Sequence, residues 1–186
     1  MHDTPSRAPS RSDEELVEFA NAGELWAFDE LYLRHRAWAW ALARRFLRNE
    51  AEAEDVLQDA FTHLWTRFPG FVLRARLRTF LYPVIRHLAM ERGRRAMRAR
   101  ELAPGHDEVE AGPDIQAPGT VRDELATALA TLPSAQREVV LMRFVDDLEL
   151  AEIAQALELP LGTVKSRLHH AIKALREDPG TRAALL

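Results

Sequence analysis

The chain has 186 residues, 47% hydrophobic and 29% charged, with no cysteine and a formal net charge of -4. That length and apolar content fit one or two small domains with real cores, and the missing cysteines exclude disulfides and thiolate-based metal or redox sites. No run of about 18 apolar residues occurs and the N-terminal stretch is polar, so neither a membrane span nor a secretory signal is expected.

In chain order, Met1 to Ser12 carries Pro5 and Pro9 and reads as a disordered tail. Ser12 and Glu15 have capping-box spacing, which predicts a helix from about Asp13 that ends before Gly23. A long second helix is predicted over Glu24 to Arg48, where Phe28, Leu31, Tyr32, His35, Trp38, Leu42 and Phe46 recur at three- and four-residue steps. Asn49 and Glu52 can cap a third, over about Ala51 to Arg67, with Val56, Leu57, Ala60, Phe61, Leu64 and Trp65 on its apolar face. Pro69-Gly70 stops it. An arginine-rich helix follows from about Arg76 to Arg100, with Pro83 near its first turns. Ala103 to Gly119 is acidic and broken by Pro104, Gly105, Gly112, Pro113, Pro118 and Gly119, the composition of a linker. Thr120 then caps a helix to about Leu132, and Pro133-Ser134 opens another to about Val145. No period of two is sustained and no repeat is found, so the chain is expected to be all-α.

The run from Glu149 to Arg176 reads as a helix-turn-helix that ends in a cationic helix. At about 100° per residue, Val164, Leu168, Ala171, Ile172 and Leu175 share the side that must pack. Ser166, His169, His170 and Lys173 point the other way, flanked by Lys165, Arg167 and Arg176, and no acid interrupts Lys165 to Arg176. One apolar stripe beside an acid-free basic face suits a DNA major groove, where residues near the helix start reach base edges and flanking cations hold phosphates. The plainer reading is a solvated positive face; the upstream partner helix favours DNA.

A negative net charge is unusual for a DNA binder, but the charge is segregated. From Phe71 to Arg100 the cations are Arg74, Arg76, Arg78, Arg86, Arg92, Arg94, Arg95, Arg98 and Arg100, against the single acid Glu91. Acids gather at Asp13 to Asp29, Glu50 to Asp59 and Glu101 to Asp114. Separate surfaces for separate partners are implied, one of them polyanionic. The arginines have aromatic neighbours in Phe68, Phe71, Phe80 and Tyr82, the combination that single-stranded nucleic acid requires; Phe80 and Tyr82 are equally suited to a core. No Glu-x-x-His pair, His-Glu-x-x-His, Gly-x-Ser-x-Gly or phosphate loop occurs, so no metal site, cofactor or catalytic residue is expected and the chain is not read as an enzyme.

Asp-Glu-Leu-Tyr at 29–32, Ala-Glu-Asp-Val-Leu-Gln-Asp-Ala-Phe at 53–61 and Arg-Thr-Phe-Leu-Tyr at 78–82 occur in that order. Leu132-Pro133, Arg137-Glu138-Val139-Val140, Glu152-Ile153-Ala154 and Gly162-Thr163-Val164-Lys165-Ser166-Arg167-Leu168 follow. Over Asp13 to Glu177 the set resembles the bacterial sigma-70 family of RNA polymerase sigma factors, in its small extracytoplasmic-function (ECF) group. The resemblance implies a promoter-melting region-2-like bundle at 13–100, a flexible acidic linker at 101–120, a region-4-like helix-turn-helix domain at 121–178, and tails at 1–12 and 179–186. It implies a non-catalytic, cytoplasmic subunit, nucleoid-associated when in holoenzyme, that binds core RNA polymerase through the β′ clamp helices and the β flap. Promoter DNA and an anti-sigma factor are the further partners implied, without stable membrane insertion.

Residue by residue, the resemblance makes Asp55, Gln58 and Asp59 the polar contacts to core polymerase. Arg74, Arg76, Arg78, Phe80, Arg86 and His87 match the stretch that reads and opens the -10 element. Thr163, Lys165, Ser166, Arg167, His169, His170 and Lys173 match the helix that reads the -35 element. The chain departs from the family pattern at Phe80 (commonly Trp), His87 (commonly Asn), Pro83 (commonly basic), Glu158 (commonly a turn glycine), and His170 and Ile172 (frequently Arg). A residue other than glycine is strained at positive φ, so Glu158 is expected to alter the turn of the helix-turn-helix. The alternative reading is an autonomous helix-turn-helix regulator, which has no need of a polymerase-docking motif in its first half.

Overall fold

The computed structural model describes residues 11–101 and 121–177. The acidic linker, the cap expected from Thr120 and the C-terminal tail lie outside the described residues, as does the N-terminal tail up to residue 10. Among the described residues eight helices follow one another: α1 (Asp13–Asn21), α2 (Leu25–Arg44), α3 (Glu50–Trp65), α4 (Leu77–Glu101), α5 (Val121–Thr131), α6 (Ser134–Phe144), α7 (Leu150–Ala156) and α8 (Leu161–Glu177). No strand occurs among the described residues.

Local chemistry sets the helix ends. Ser12 and Glu15 form the capping box that their spacing predicts: the Ser12 N–H donates to Glu15 Oε2 at 2.7 Å and the Glu15 N–H to Ser12 Oγ at 3.3 Å. Gly23 takes φ +92° after α1, a conformation open to glycine without strain. α2 stops at Arg44 rather than Arg48, and the Arg44 guanidinium reaches forward to the carbonyls of Leu47 and Arg48 beyond its end. Asn49 caps α3 by accepting from the Ala51 N–H at 2.9 Å. Pro83 lies inside α4 and removes one backbone hydrogen bond there.

α2, α3 and α4 pack together, with α1 laid on α2. Leu31, Leu42, Val56, Leu64, Leu77, Leu81 and Ile85 are fully buried between them. Ala27, Ala39, Ala43, Ala53, Ala60 and Ala89 are also fully buried, small side chains that let the helices approach closely. In the second half α8 packs against α6 and α7. Arg137 binds α5 from α6, donating to the carbonyls of Leu129 at 2.7 Å, Ala130 at 2.5 Å and Leu132 at 3.0 Å. A cation thereby satisfies the orphan acceptors of a helix C-terminus.

The two halves are not separate bodies joined only by a linker. Val139, Met142, Leu148, Ile153, Ala156 and Val164 of the second half belong to the same continuous apolar core as α1–α4, and α4 packs on α7. The sequence reading assigned the halves separate surfaces and did not anticipate this contact.

Asp13 ties α1 to α2. Its carboxylate meets His35 Nε2 and Arg34 NH1, each at 2.7 Å. Burial alone would push the Asp13 carboxyl up, but the hydrogen bonds and charges of His35 and Arg34 outweigh it and hold it below its ordinary value of 3.8. A depressed carboxylate stabilises the fold fully above its unfolded value and loses that contribution as pH falls through the folded one. Asp13→Asn is therefore expected to destabilise the chain by about 2 kcal/mol at pH 7. The deficit relative to wild type should shrink below about pH 4, read by urea denaturation at stepped pH.

Candidate nucleic-acid interface

Two basic surfaces lie on different elements. On α8, Val164 and Ala171 are buried and Leu168, Ile172 and Leu175 are partly buried, while Lys165, Ser166, His169, His170, Lys173 and Arg176 are exposed; Thr163 and Arg167 lie at the boundary. The His169 and His170 rings stand 5.6 Å apart, edge to face.

The turn before α8 carries the residue that departs from the family pattern. Glu158 takes φ +54° itself. Its N–H donates to the Gln155 carbonyl at 3.2 Å, and the Leu159 N–H donates to the Ala154 carbonyl at 2.9 Å. That is the Schellman arrangement normally closed by glycine. The altered turn expected from Glu158 does not occur: the chain keeps the left-handed geometry and bears its strain.

The second surface is α4 with the loop that leads into it. Asn21, at the end of α1, pins that loop. Its Oδ1 accepts from the N–H groups of Gly70 at 2.7 Å and Phe71 at 3.0 Å, and its Nδ2 donates to the Phe71 carbonyl at 2.8 Å. Phe71 then packs against Phe68 at 5.4 Å and Phe80 at 5.0 Å, and His63 stacks on Phe80 at 6.3 Å. Phe71, Phe80 and the loop wall a cleft of about 460 Å³ that Arg67, Arg74 and Arg76 also line. Gln155 of α7 reaches the same cleft from the second half. Phe80 is half-buried, whereas Tyr82 is 1% exposed and belongs to the core.

The residues expected at the -10 element do not share one environment. Arg74 and His87 are exposed. Arg76 donates to the Asp147 carbonyl at 2.6 Å and lies 3.7 Å from Glu152. Arg78 donates to the Asp146 carbonyl at 3.1 Å and stacks over Trp38 at 5.3 Å. Arg86 Nε meets Glu138 Oε1 at 2.6 Å, and the Tyr82 hydroxyl donates to the same oxygen at 3.1 Å. Burial, then the charge of Glu138, pushes the Tyr82 phenol above its ordinary range, so it remains a donor. At the centre is Asp146, with no exposed surface. Its carboxylate takes Trp38 Nε1 at 2.7 Å and both Arg45 terminal nitrogens at 2.7 and 2.6 Å. Sequence reasoning missed Asn21, Arg45, Glu138 and Asp146, and placed Trp38 only within an apolar stripe, because none of these pairings is local.

Asp55, Gln58 and Asp59 are exposed along one side of α3. Arg92 of α4 bridges the two carboxylates, at 2.9 Å to Asp55 and 2.6 Å to Asp59. Arg92, one of the cations of the Phe71 to Arg100 stretch, is thus spent on the acidic helix. Among the described residues no group of three or more His, Cys, Asp or Glu side chains is arranged to hold a metal ion. No helix there is long and apolar enough to cross a membrane.

Comparison with known proteins gives two family matches. Residues 31–99 match sigma-70 region 2, and residues 122–175 match sigma-70 region 4. The ECF RNA polymerase sigma factor SigL of Mycobacterium tuberculosis is 34% identical, the match covering 86% of this chain and 93% of that protein. The RNA polymerase sigma-H factor of Pseudomonas aeruginosa is 32% identical over 88% of this chain and 91% of its own length. Among solved structures, CnrH in complex with the cytosolic domain of CnrY superposes with a TM-score of 0.62 at 24% identity, covering 87% of this chain and 93% of that one. RpoE of Bartonella quintana, solved with the anti-sigma factor NepR, gives 0.58 at 23% identity, covering 81% and 94%.

Glu158→Gly should relieve the left-handed strain. With about 1–2 kcal/mol of strain removed and about 0.5–1 kcal/mol of chain entropy added, the variant is expected to gain up to about 1.5 kcal/mol, read by thermal unfolding.

Proposed function

We propose that this chain, which belongs to the extracytoplasmic-function group of the sigma-70 family of RNA polymerase sigma factors, divides polymerase docking, promoter melting and upstream recognition among α3, α4 and α8. As a sigma factor it serves promoter recognition by RNA polymerase. The observation that carries the finer reading is the cleft at the start of α4, where arginines and aromatic rings meet around a space large enough for a nucleobase.

A base leaves the duplex stack at a cost of a few kcal/mol, and a pocket with ring faces compensates. Arg74, Arg76, Arg78 and Arg86 hold the strand by its phosphates, with Phe80 and His87 beside them. Backbone contacts position the strand and base contacts specify it, so Asn21 matters by holding the loop that shapes the pocket. On α8, Ser166, His169 and His170 meet base edges of the -35 element, and Thr163, Lys165, Arg167 and Lys173 reach bases or phosphates. Asp55, Gln58 and Asp59 dock on the β′ clamp helices, and the second half meets the β flap. Arg92 leaves the acids or joins the contact; such exposed pairs exchange at little cost.

The role is non-catalytic, since bond formation belongs to the core enzyme. It is exercised in the cytoplasm, at the nucleoid when in holoenzyme. An anti-sigma factor is a further partner, by analogy with the RpoE that is held by NepR.

Charge reversal of Arg76 and Arg78 to Glu should cut permanganate-reactive thymines at -10 by roughly tenfold to a hundredfold, with core affinity retained. Full-strength footprints would remove the melting assignment. Asp55→Ala with Gln58→Ala should weaken holoenzyme formation while circular dichroism is unchanged. Selection from a random promoter library should return altered -35 bases for Ser166→Ala or His169→Ala, and the same bases at lower yield for Arg167→Ala.

A further inference from the structure

The outward face of α8 mixes cations of fixed charge with two imidazoles. Lys165, Lys173 and Arg176 are exposed there, and His169 and His170 are exposed with them, their rings 5.6 Å apart and edge to face. At about 100° per residue, His169 falls between Arg176 and Lys173, and His170 falls between Ser166 and Thr163. Neither imidazole has a hydrogen-bond or ion-pair partner among the described residues. The carboxylates around them are turned elsewhere. α8 has a single one, Glu177, which lies 3.9 Å from Lys173. α8 packs on α6 and α7. On α6, Arg137 is spent on carbonyls of α5, Glu138 faces Arg86 and Arg143 faces Glu149. On α7 and the turns that flank it, Glu152 and Asp147 lie by Arg76 and Asp146 is held by Arg45, while Glu158 has no ion-pair partner among the described residues. No acid among the described residues therefore stands within ion-pair distance of either ring.

We propose that His169 and His170 make duplex binding by α8 proton-linked: when protonated the pair completes the cationic face, and contact with DNA takes protons up. This rests on the reading of α8 as the helix that meets the duplex. Histidine is the side chain whose charge ordinarily changes between pH 5 and 8, whereas lysine and arginine keep theirs across that range and carboxylates titrate near pH 4. A neutral imidazole has one donor and one acceptor; the imidazolium donates from both nitrogens. Phosphate oxygens and the N7 and O6 atoms of guanine only accept, so the protonated ring is the form that duplex DNA favours. Linkage fixes the sign. A ligand that favours the protonated form raises proton uptake, and falling pH raises affinity for that ligand by the same free energy. Elsewhere on the face the charge is permanent, so the histidine pair alone lets pH set how strongly α8 holds the upstream element.

The test uses the full chain and a tetramethylrhodamine-labelled duplex of mixed sequence, since phosphate contacts need no particular bases. Anisotropy gives affinity across pH, and calorimetry in two buffers of different ionisation enthalpy counts the protons taken up. Between about pH 7.5 and about pH 6 affinity should rise roughly fivefold to twentyfold, with net proton uptake on binding. The log-log salt slope should steepen by up to about 1.8 at the lower pH, about 0.9 for each added phosphate contact. His87 of α4 is also exposed, so variants assign the effect to α8. His169→Gln with His170→Gln keeps polar side chains without a titrating group, and should leave affinity nearly flat over that range. His169→Lys with His170→Lys fixes the charge, and should give at about pH 7.5 the affinity that the wild type reaches at about pH 6. All four changes are at exposed positions, and circular dichroism checks that the fold is kept. A wild type whose affinity ignores pH, or a pH dependence that survives at full size in the glutamine variant, overturns the inference. Lys165→Glu with Lys173→Glu separates the two claims. If it abolishes duplex binding while the histidines show no proton linkage, α8 remains the duplex helix and only the linkage falls. If duplex binding ignores that charge reversal, the assignment of α8 is itself at fault.

Discussion

A carboxylate withdrawn wholly from water is tolerable only where donors surround it, and Asp146 finds its donors in the other half of the chain. Trp38 and Arg45 come from α2 and its C-terminal cap, while Asp146 sits in the turn between α6 and α7. Removing either side would strand a buried charge, at about 3–5 kcal/mol, so the ion pair fixes the relation of the halves more firmly than its net contribution to stability suggests. The neighbouring geometry follows. Asp147 at φ +56° carries the turn past the pair and brings its carbonyl to Arg76. Arg78 lies over the Trp38 ring that Asp146 orients.

The same constraint explains how a chain of net charge -4 carries so concentrated a cationic stretch. Its acids act as internal counterions. Asp55 and Asp59 face Arg92, Glu138 faces Arg86, and Asp147 faces Arg76. These pairs differ in kind. The carboxylates on α3 are more than half exposed, so water and salt compete for them and a partner protein can replace Arg92 cheaply. Asp146 has neither water nor salt beside it, and its exchange requires the apolar contact between the halves to part as well.

What the sequence made legible was whatever repeats at short range. The capping box at Ser12, the Asn49 cap, the stripe of Val164, Ala171 and Leu175, and the exposed face of Ser166, His169 and His170 are each settled within a few residues. The pairings that organise the candidate site span far longer separations: Asn21 to Phe71, Thr79 to Glu152, Arg45 to Asp146. Nothing periodic marks them. Asp146-Asp147 reads as an ordinary polar turn, and Trp38 reads as one more apolar residue on α2 although its ring nitrogen serves a buried acid. Glu158 was legible as a departure but its outcome was not. Two backbone hydrogen bonds close the turn with Glu158 in the left-handed region, so the residue bears the strain.

The two basic surfaces therefore differ in their state of readiness. α8 is a helix whose packing side is filled and whose outward side is exposed, so the contacts proposed for it can be made from the helix as it stands. The α4 surface has its pocket pinned by Asn21 and its aromatic rings in place, yet several of its cations are engaged elsewhere. Preorganisation lowers the cost of binding, and prior engagement of the same groups raises it. On the proposed reading, strand contacts at α4 compete with oxygens of the second half that already engage Arg76, Arg78 and Arg86, while the outward face of α8 meets no such competitor.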